Sequence, residues 1–204
     1  MADEPKVTAA QVKDLRQRTG SGVMEIKEAL LEAGGDEDKA TQTLRVKGQA
    51  TAAKRSDRAA AEGVVAPYIH SNKKVGVLVE VNCETDFVAR GDEFNEFARD
   101  VALHVAGSPE VQYVSDEDVP DDAKQAELRV FEQQAADKPE NIRPKIAEGK
   151  LNAWLDDVVL LRQKHVNVDK HEEKTIEELR AELSSKTGEN IVVRRFVRFV
   201  VGEE

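Results

Sequence analysis

The chain has 204 residues, 40% of them hydrophobic, and carries 30 Lys and Arg against 40 Asp and Glu for a formal net charge of −10. That length suits one large domain or a small module beside a medium one, and the acidic balance excludes a protein that coats nucleic acid, since phosphate neutralisation needs a basic face. A single cysteine, Cys83, excludes an internal disulfide and a multi-Cys zinc site, and His70, His104, His165 and His171 show no HExxH or paired Cys/His spacing for a metal.

The N-terminal MADEPKVTAAQ lacks the apolar stretch of a signal peptide, and no window reaches the length of a membrane span, so a cytoplasmic protein is expected. Residues 8 to 48 then read as three short helices. Thr8 and Gln11 make a capping-box pattern, Val12 and Leu15 an apolar stripe, and Gly20 to Gly22 a break. Val23, Ile26 and Leu30 recur at helical spacing up to Gly34-Gly35, and Asp36 opens a third helix through Ala40 and Leu44. The Ala-rich, charged run from Ala50 to Ala61 predicts a solvated helical linker, placing domains at 1–48, 49–61 and 62–204.

Past residue 61 the period changes from helical to alternating. Val64, Val65, Tyr68 and Ile69 predict one strand, Ser71 to Lys74 a turn, and Val75, Val77, Val79, Val81 and Cys83 one face of a second strand. Asp92 opens an amphipathic helix with Phe94, Phe97, Val101 and Val105 on one face. Helical patterns broken by Pro139 and Pro144 run from Asp121 to about Gln163, and another helix spans Thr175 to Ser185. A third strand is expected from Ile191 to Val201, with Ile191, Val193, Val197, Phe199 and Val201 sharing a face. The predicted fold is α+β: an N-terminal, ubiquitin-associated-like three-helix bundle and a core of three antiparallel strands packed with helices.

Three features could carry chemistry, and each has an ordinary explanation. Thr19-Gly20-Ser21-Gly22 lacks the phosphate-loop patterns and follows a helix, so it reads as an interhelical turn. Cys83 continues an apolar strand face and reads as a small buried hydrophobe rather than a nucleophile. At the strand-to-helix junction, Thr85 or Asp86 reads as a helix cap with Phe87 and Val88 packed beneath; alternatively Phe87 is a protruding aromatic anchor for another protein.

The run from Glu80 to Arg90 (EVNCETDFVAR) resembles one signature of the elongation factor Ts family, and Leu15 to Met24 (LRQRTGSGVM), with Lys27 to Leu30, resembles the other. Ile146 to Leu151, Leu160-Leu161 and Gly188 to Phe196 extend the resemblance over nearly the whole chain. It implies a guanine-nucleotide exchange factor, not an enzyme and without a cofactor, that binds elongation factor Tu in its GDP-bound and nucleotide-free states. Thr85, Asp86, Phe87 and Val88 would insert beside the partner's nucleotide and dislodge its magnesium ion, with Phe87 as wedge, while Arg16, Val23 and Met24 of the bundle would dock on the partner's GTPase domain. Without the family, Arg16 reads as a solvated charge and Val23 and Met24 as bundle core; Val23 lies on the apolar stripe and Met24 off it. The chain departs from the family where Gln163-Lys164-His165 replaces Gln-Pro-Phe, and where Ile26 stands in place of a frequent cysteine. Longer relatives resemble a duplicated core, so a homodimer is expected here. The alternative is a non-catalytic module whose bundle recognises ubiquitin-like or nucleic-acid partners; direct nucleic-acid or membrane binding is not expected.

Overall fold

The computed structural model describes residues 7–203, so MADEPK, the start of the stretch read above for a leader, lies outside the described residues. The first three helices each begin where a side chain satisfies N–H groups that a helix start leaves without partners. At α1 (Ala9–Thr19) the Thr8 hydroxyl accepts the Gln11 N–H at 3.2 Å, and the Gln11 side chain accepts the Thr8 N–H at 3.0 Å. At α2 (Val23–Glu32) the Glu25 carboxylate reaches back to the Gly22 N–H at 3.0 Å. At α3 (Glu37–Arg55) the Asp36 carboxylate accepts the Asp38 and Lys39 N–H groups, both at 3.1 Å. Gly20 holds φ at +69°, and a Cβ there would run into the Lys186 side chain, so the turn between α1 and α2 needs glycine on both counts. Val12, Leu15, Ile26, Leu30 and Leu44 meet in the bundle core. Ile26 is fully buried, which fits the packing role expected of an apolar residue there.

The helix α3 stops at Arg55, and residues 56–61 are not helical, in contrast to the helical linker expected through Ala61. The cause is tertiary. Asn190 Nδ2 donates to the Ser56 and Arg58 carbonyls at 3.2 and 2.8 Å, taking acceptors that a further helical turn would use. From Arg45 onward α3 is also packed rather than free. Ala52 is buried, Arg45 pairs with Glu178 at 3.2 Å, and Arg55 donates to the Ser184 carbonyl at 2.7 Å.

The strands β1 (Glu62–Ile69), β2 (Val75–Cys83) and β3 (Val192–Val200) form one sheet in that order. The His70 N–H donates to the Val75 carbonyl and the Val201 N–H to the Lys74 carbonyl, so both neighbours run antiparallel to β2. Along β2 the alternation is as expected: Val77, Val79, Val81 and Cys83 are buried and Leu78 is exposed. Along β3 it is not. Ile191 and Val193 are buried, Arg194 and Arg195 are both exposed, and after them Phe196, Arg198 and Val200 are half-buried while Val197, Phe199 and Val201 are exposed. The pleat slips by one residue at the arginine pair, as at a β-bulge, so the expected common face is split into a buried and an exposed part. Placing Val201 opposite Lys74 puts Phe199 opposite Gly76 and Val197 opposite Leu78, and Ile69 lies over Gly76 on the same outer side.

The chain divides into two compact units, one built from the residues up to Ala66, Glu80–Arg99 and Glu178–Val193, the other from Pro67–Val79, Asp100–Glu177 and Arg194–Glu204. A four-residue helix α4 (Asp86–Ala89) follows β2, and α5 (Asp92–Gly107) buries Phe94, Phe97, Val101 and Val105 as its spacing predicts. Each such side chain contributes roughly 1.5–3 kcal/mol on burial. In the second unit α6 (Asp121–Gln134) packs on α7 (Arg143–Val158), and Trp154 leans half-buried on a cluster of Val119, Leu155, Val158 and Val159. Two further helices, α8 (Val168–His171) and α9 (Ile176–Thr187), precede β3. The fold is α+β.

Candidate partner-binding site

The segment from Thr85 to Val88 starts where β2 runs out of sheet. Thr85 caps α4: its hydroxyl accepts the Val88 N–H at 3.4 Å and donates to the Glu189 carboxylate at 2.6 Å. The other oxygen of Glu189 accepts the N–H groups of Glu84 and Thr85 at 3.0 and 3.1 Å. The thiol of Cys83 donates to the Thr85 carbonyl at 3.2 Å, so all the polar atoms of Thr85 are engaged. At the far end Asn95 Nδ2 donates to the Ala89 and Gly91 carbonyls, both at 2.9 Å. Between these two fastenings Asp86 is exposed and pairs with Arg90 at 2.8 Å, Val88 is half-buried, and Phe87 is 85% exposed. A phenylalanine packed beneath its loop, the ordinary expectation, is not what the chain contains. Phe87 stands out of the surface on a short, fastened helix.

The bundle residues divide. Arg16 and Val23 line one open groove of about 500 Å³ with Val12, Lys13 and Lys27, giving an apolar floor with a basic rim. Met24 lies outside that lining and is 68% exposed. Val23 is 39% exposed, so its place on the apolar stripe does not put it in the core.

Cys83 does not fit a nucleophile. It is fully buried, and burial, followed by the negative charge of Glu189, pushes its thiol up to about 11, where no useful thiolate exists near neutral pH. Thr19-Gly20-Ser21-Gly22 is the turn between α1 and α2. Among the described residues one set of potential metal ligands converges: Asp100, His165 and His171. His165 has no lone pair to offer, because its Nδ1 accepts the Asn167 N–H at 3.0 Å and its Nε2 faces the Asp100 carbonyl at 3.0 Å and must donate. The departure at Gln163-Lys164-His165 therefore turns inward at His165, which is 1% exposed, while Lys164 is exposed and pairs with Glu173 at 2.7 Å.

The family described as Elongation factor TS matches residues 6–172. The chain is 47% identical over 200 residues to elongation factor Ts of Syntrophus aciditrophicus, covering 97% of this chain and 98% of that protein. It belongs to the elongation factor Ts family. It is also 49% identical to the elongation factor Ts of Thermosipho melanesiensis, over 97% of this chain and all of the relative, and 48% identical to that of Geobacter metallireducens, over 97% and 90%. As a member of that family the chain is a translation elongation factor, a protein of protein biosynthesis. Among the described residues no helix is long and apolar enough to cross a membrane.

Missing from the sequence reading are the residues that hold the elongation factor Ts loop, namely Glu189, Asn190 and Asn95. Gly188-Glu189-Asn190 was visible as a family feature, but nothing local marks Glu189 as the partner of a loop 104 residues away.

Proposed function

We propose that this chain is the guanine-nucleotide exchange factor of elongation factor Tu, that it is not an enzyme, and that it acts by wedging Phe87 beside the partner's nucleotide so that magnesium and then GDP are lost. One observation carries the reading: a phenylalanine held 85% exposed on a helix fastened at both ends. An exposed aromatic side chain is poorly placed for the free protein and well placed as an anchor, since buried aromatic anchors dominate interface energies. Magnesium bridges a GTPase to the nucleotide phosphates, so displacing it removes a large attraction and GDP leaves. Thr85 and Val88 shape the wedge, and Asp86 presents a carboxylate that can exchange Arg90 for a group of the partner. The groove with Arg16 and Val23, together with the exposed Met24, is the second docking surface, on the segment proposed as a separate domain through residue 48. The factor needs no cofactor and works in the cytoplasm. By reciprocity, nucleotide weakens its binding to the partner by the same factor that it weakens nucleotide binding.

The homodimer belongs to the same proposal. Ile69, Leu78, Val197, Phe199 and Val201 are exposed on the outer side of the sheet, and a second copy would cover such a surface with a self-complementary one. Sedimentation of the free protein under reducing, high-salt conditions measures this, and a monomer at micromolar concentration that still drives exchange at full rate overturns it. For exchange itself the test is release of fluorescent GDP from elongation factor Tu at rising concentrations of this protein. Acceleration that saturates is expected; no acceleration at saturating protein overturns the reading.

A further inference from the structure

We propose that Glu189 is a positioning residue for exchange: without touching the nucleotide, its carboxylate sets the conformation of the loop that presents Phe87. The inference rests on the exchange reading above and adds what makes the wedge rigid.

Glu189 spends both oxygens on one loop. One accepts two consecutive backbone N–H groups, from Glu84 and Thr85, and the other accepts the Thr85 hydroxyl at 2.6 Å. Bonds to an ionised acceptor are short and strong, and the Thr85 hydroxyl that donates to Glu189 also accepts the Val88 N–H, so the chain of bonds runs from Glu189 into the first turn of α4. The attachment is mutual: the Asn190 N–H donates to the Glu84 carboxylate at 2.6 Å. The Glu84 carboxylate is paired in turn with Arg58 at 3.4 Å.

The carboxylate itself sits on a braced support. The Ser184 hydroxyl donates to the Glu189 carbonyl at 2.6 Å, Arg55 donates to the Ser184 carbonyl at 2.7 Å, and Asn190 holds the Ser56 and Arg58 carbonyls at the end of α3. The loop is therefore tied to the end of the helix that begins in the N-terminal bundle. That matters because an exposed phenylalanine on a loose loop gains by folding back onto its own protein. A wedge must resist that collapse before it meets a partner, since ordering it on contact would consume binding energy. The clamp supplies the resistance through the backbone and leaves the side chain of Phe87 free.

The test compares Glu189→Ala, Glu189→Asp and Glu189→Gln with wild type, alone and combined with Phe87→Ala, in release of fluorescent GDP from elongation factor Tu. Gln keeps the acceptor toward both amides; Asp is one methylene too short to reach both oxygens' partners. Glu189→Ala is expected to lower the maximal release rate roughly 10-fold or more, as small misplacements of a positioned group do. The concentration for half-maximal effect should stay within about threefold, because the bundle still docks. Glu189→Asp should lie between, and Glu189→Gln should restore the rate to within about threefold of wild type. On the Phe87→Ala background, Glu189→Ala should change the rate less than about twofold, since the clamp has nothing left to position.

A second readout needs no partner. Amide hydrogen exchange at Glu84 and Thr85 should quicken in Glu189→Ala while Val79 and Val81 stay protected. Unchanged exchange at those two amides overturns the clamp, as does a full maximal rate in Glu189→Ala or an equal fold-loss with and without Phe87. If Glu189→Ala does not fold, Glu189→Asp carries the same comparisons. If wild type fails to accelerate release, the exchange reading falls, and the amide measurement still decides whether Glu189 holds the loop.

Discussion

Two loops of this protein are held by the same device built from different acceptors. In the loop before α4, consecutive amides of Glu84 and Thr85 are accepted by one carboxylate, that of Glu189. In the segment before α8, consecutive amides of Val166 and Asn167 are accepted by imidazole nitrogens, His104 Nδ1 at 3.1 Å and His165 Nδ1 at 3.0 Å. The carboxylate fixes a loop whose central side chain is thrust into solvent. The histidines fix one whose anchors are fully inside. An ionised acceptor can sit at the half-exposed rim because water shares its solvation, whereas a buried acceptor has to be neutral, since burying a charge without a partner is costly. Each buried imidazole also has its other nitrogen satisfied: His104 Nε2 meets Gln163 at 2.9 Å and His165 Nε2 meets the Asp100 carbonyl. At His104 the price of neutrality is sensitivity to protons.

The comparison breaks most sharply in the histidine segment. Replacing His165 with Ala removes a fully buried side chain and leaves the Asn167 N–H without its acceptor, so a loss of roughly 3–4 kcal/mol is expected. Thermal or urea unfolding measures it, and a loss below about 1 kcal/mol would show that water replaces the ring without penalty.

Acid should reach the same segment next. Burial, opposed by the Gln163 bond and aided by the neighbouring His165, lowers His104 to about 4. A group depressed in the folded state contributes stability that is fully present above its unfolded value near 6.5 and is lost as pH falls toward 4. Stability is therefore expected to drop by up to about 3 kcal/mol over that window. His171, also lowered by burial first and then by His165, adds to the drop in the same direction, with Asp100 and Lys170 as the charges facing it. Melting temperatures between pH 7 and pH 4.5 test this in wild type and in His104→Gln, which should lose most of the slope.

The exposed loop should behave in the opposite way, with function lost and stability kept. Phe87→Ala is expected to lower the GDP-release effect by about 2 kcal/mol, roughly 30-fold, as loss of an interface anchor does. Its melting temperature should move by less than about 2 °C, because a side chain so exposed has little packing to lose. A melting loss of a buried-Phe size with normal release would mean that Phe87 packs in solution. The smallest effect is expected at Cys83: buried and protonated, it should resist alkylation of the native protein near neutral pH and leave exchange unchanged. Fast labelling at Cys83 that stops exchange would bring the thiol back into consideration.

Much of this fold was readable because its signals are local. The Thr8 and Gln11 capping box, the Asp36 cap, the alternation from Val77 to Cys83 and the face of Phe94, Phe97, Val101 and Val105 each depend on neighbours a few residues apart, within reach of helix or strand period. Period alone did not place Val23 or Phe87 in solvent, since an apolar residue on a stripe is buried only if something comes to cover it. It also carried the β3 face straight through the Arg194-Arg195 slip, because a one-residue bulge leaves no mark in composition.

What the sequence by itself determined, then, are the helices and their caps, the β-hairpin, the α+β class and, through two signatures, the family to which the chain belongs. Only the tertiary structure decided where α3 ends, that Cys83 spends its thiol on Thr85, that His165 turns inward, and that Glu189 grips Glu84 and Thr85. The physical reason is common to all four. Each is a polar group whose partner comes from a distant part of the chain or from a loop without a period, and hydrogen-bond satisfaction of that kind is settled only when the chain is folded.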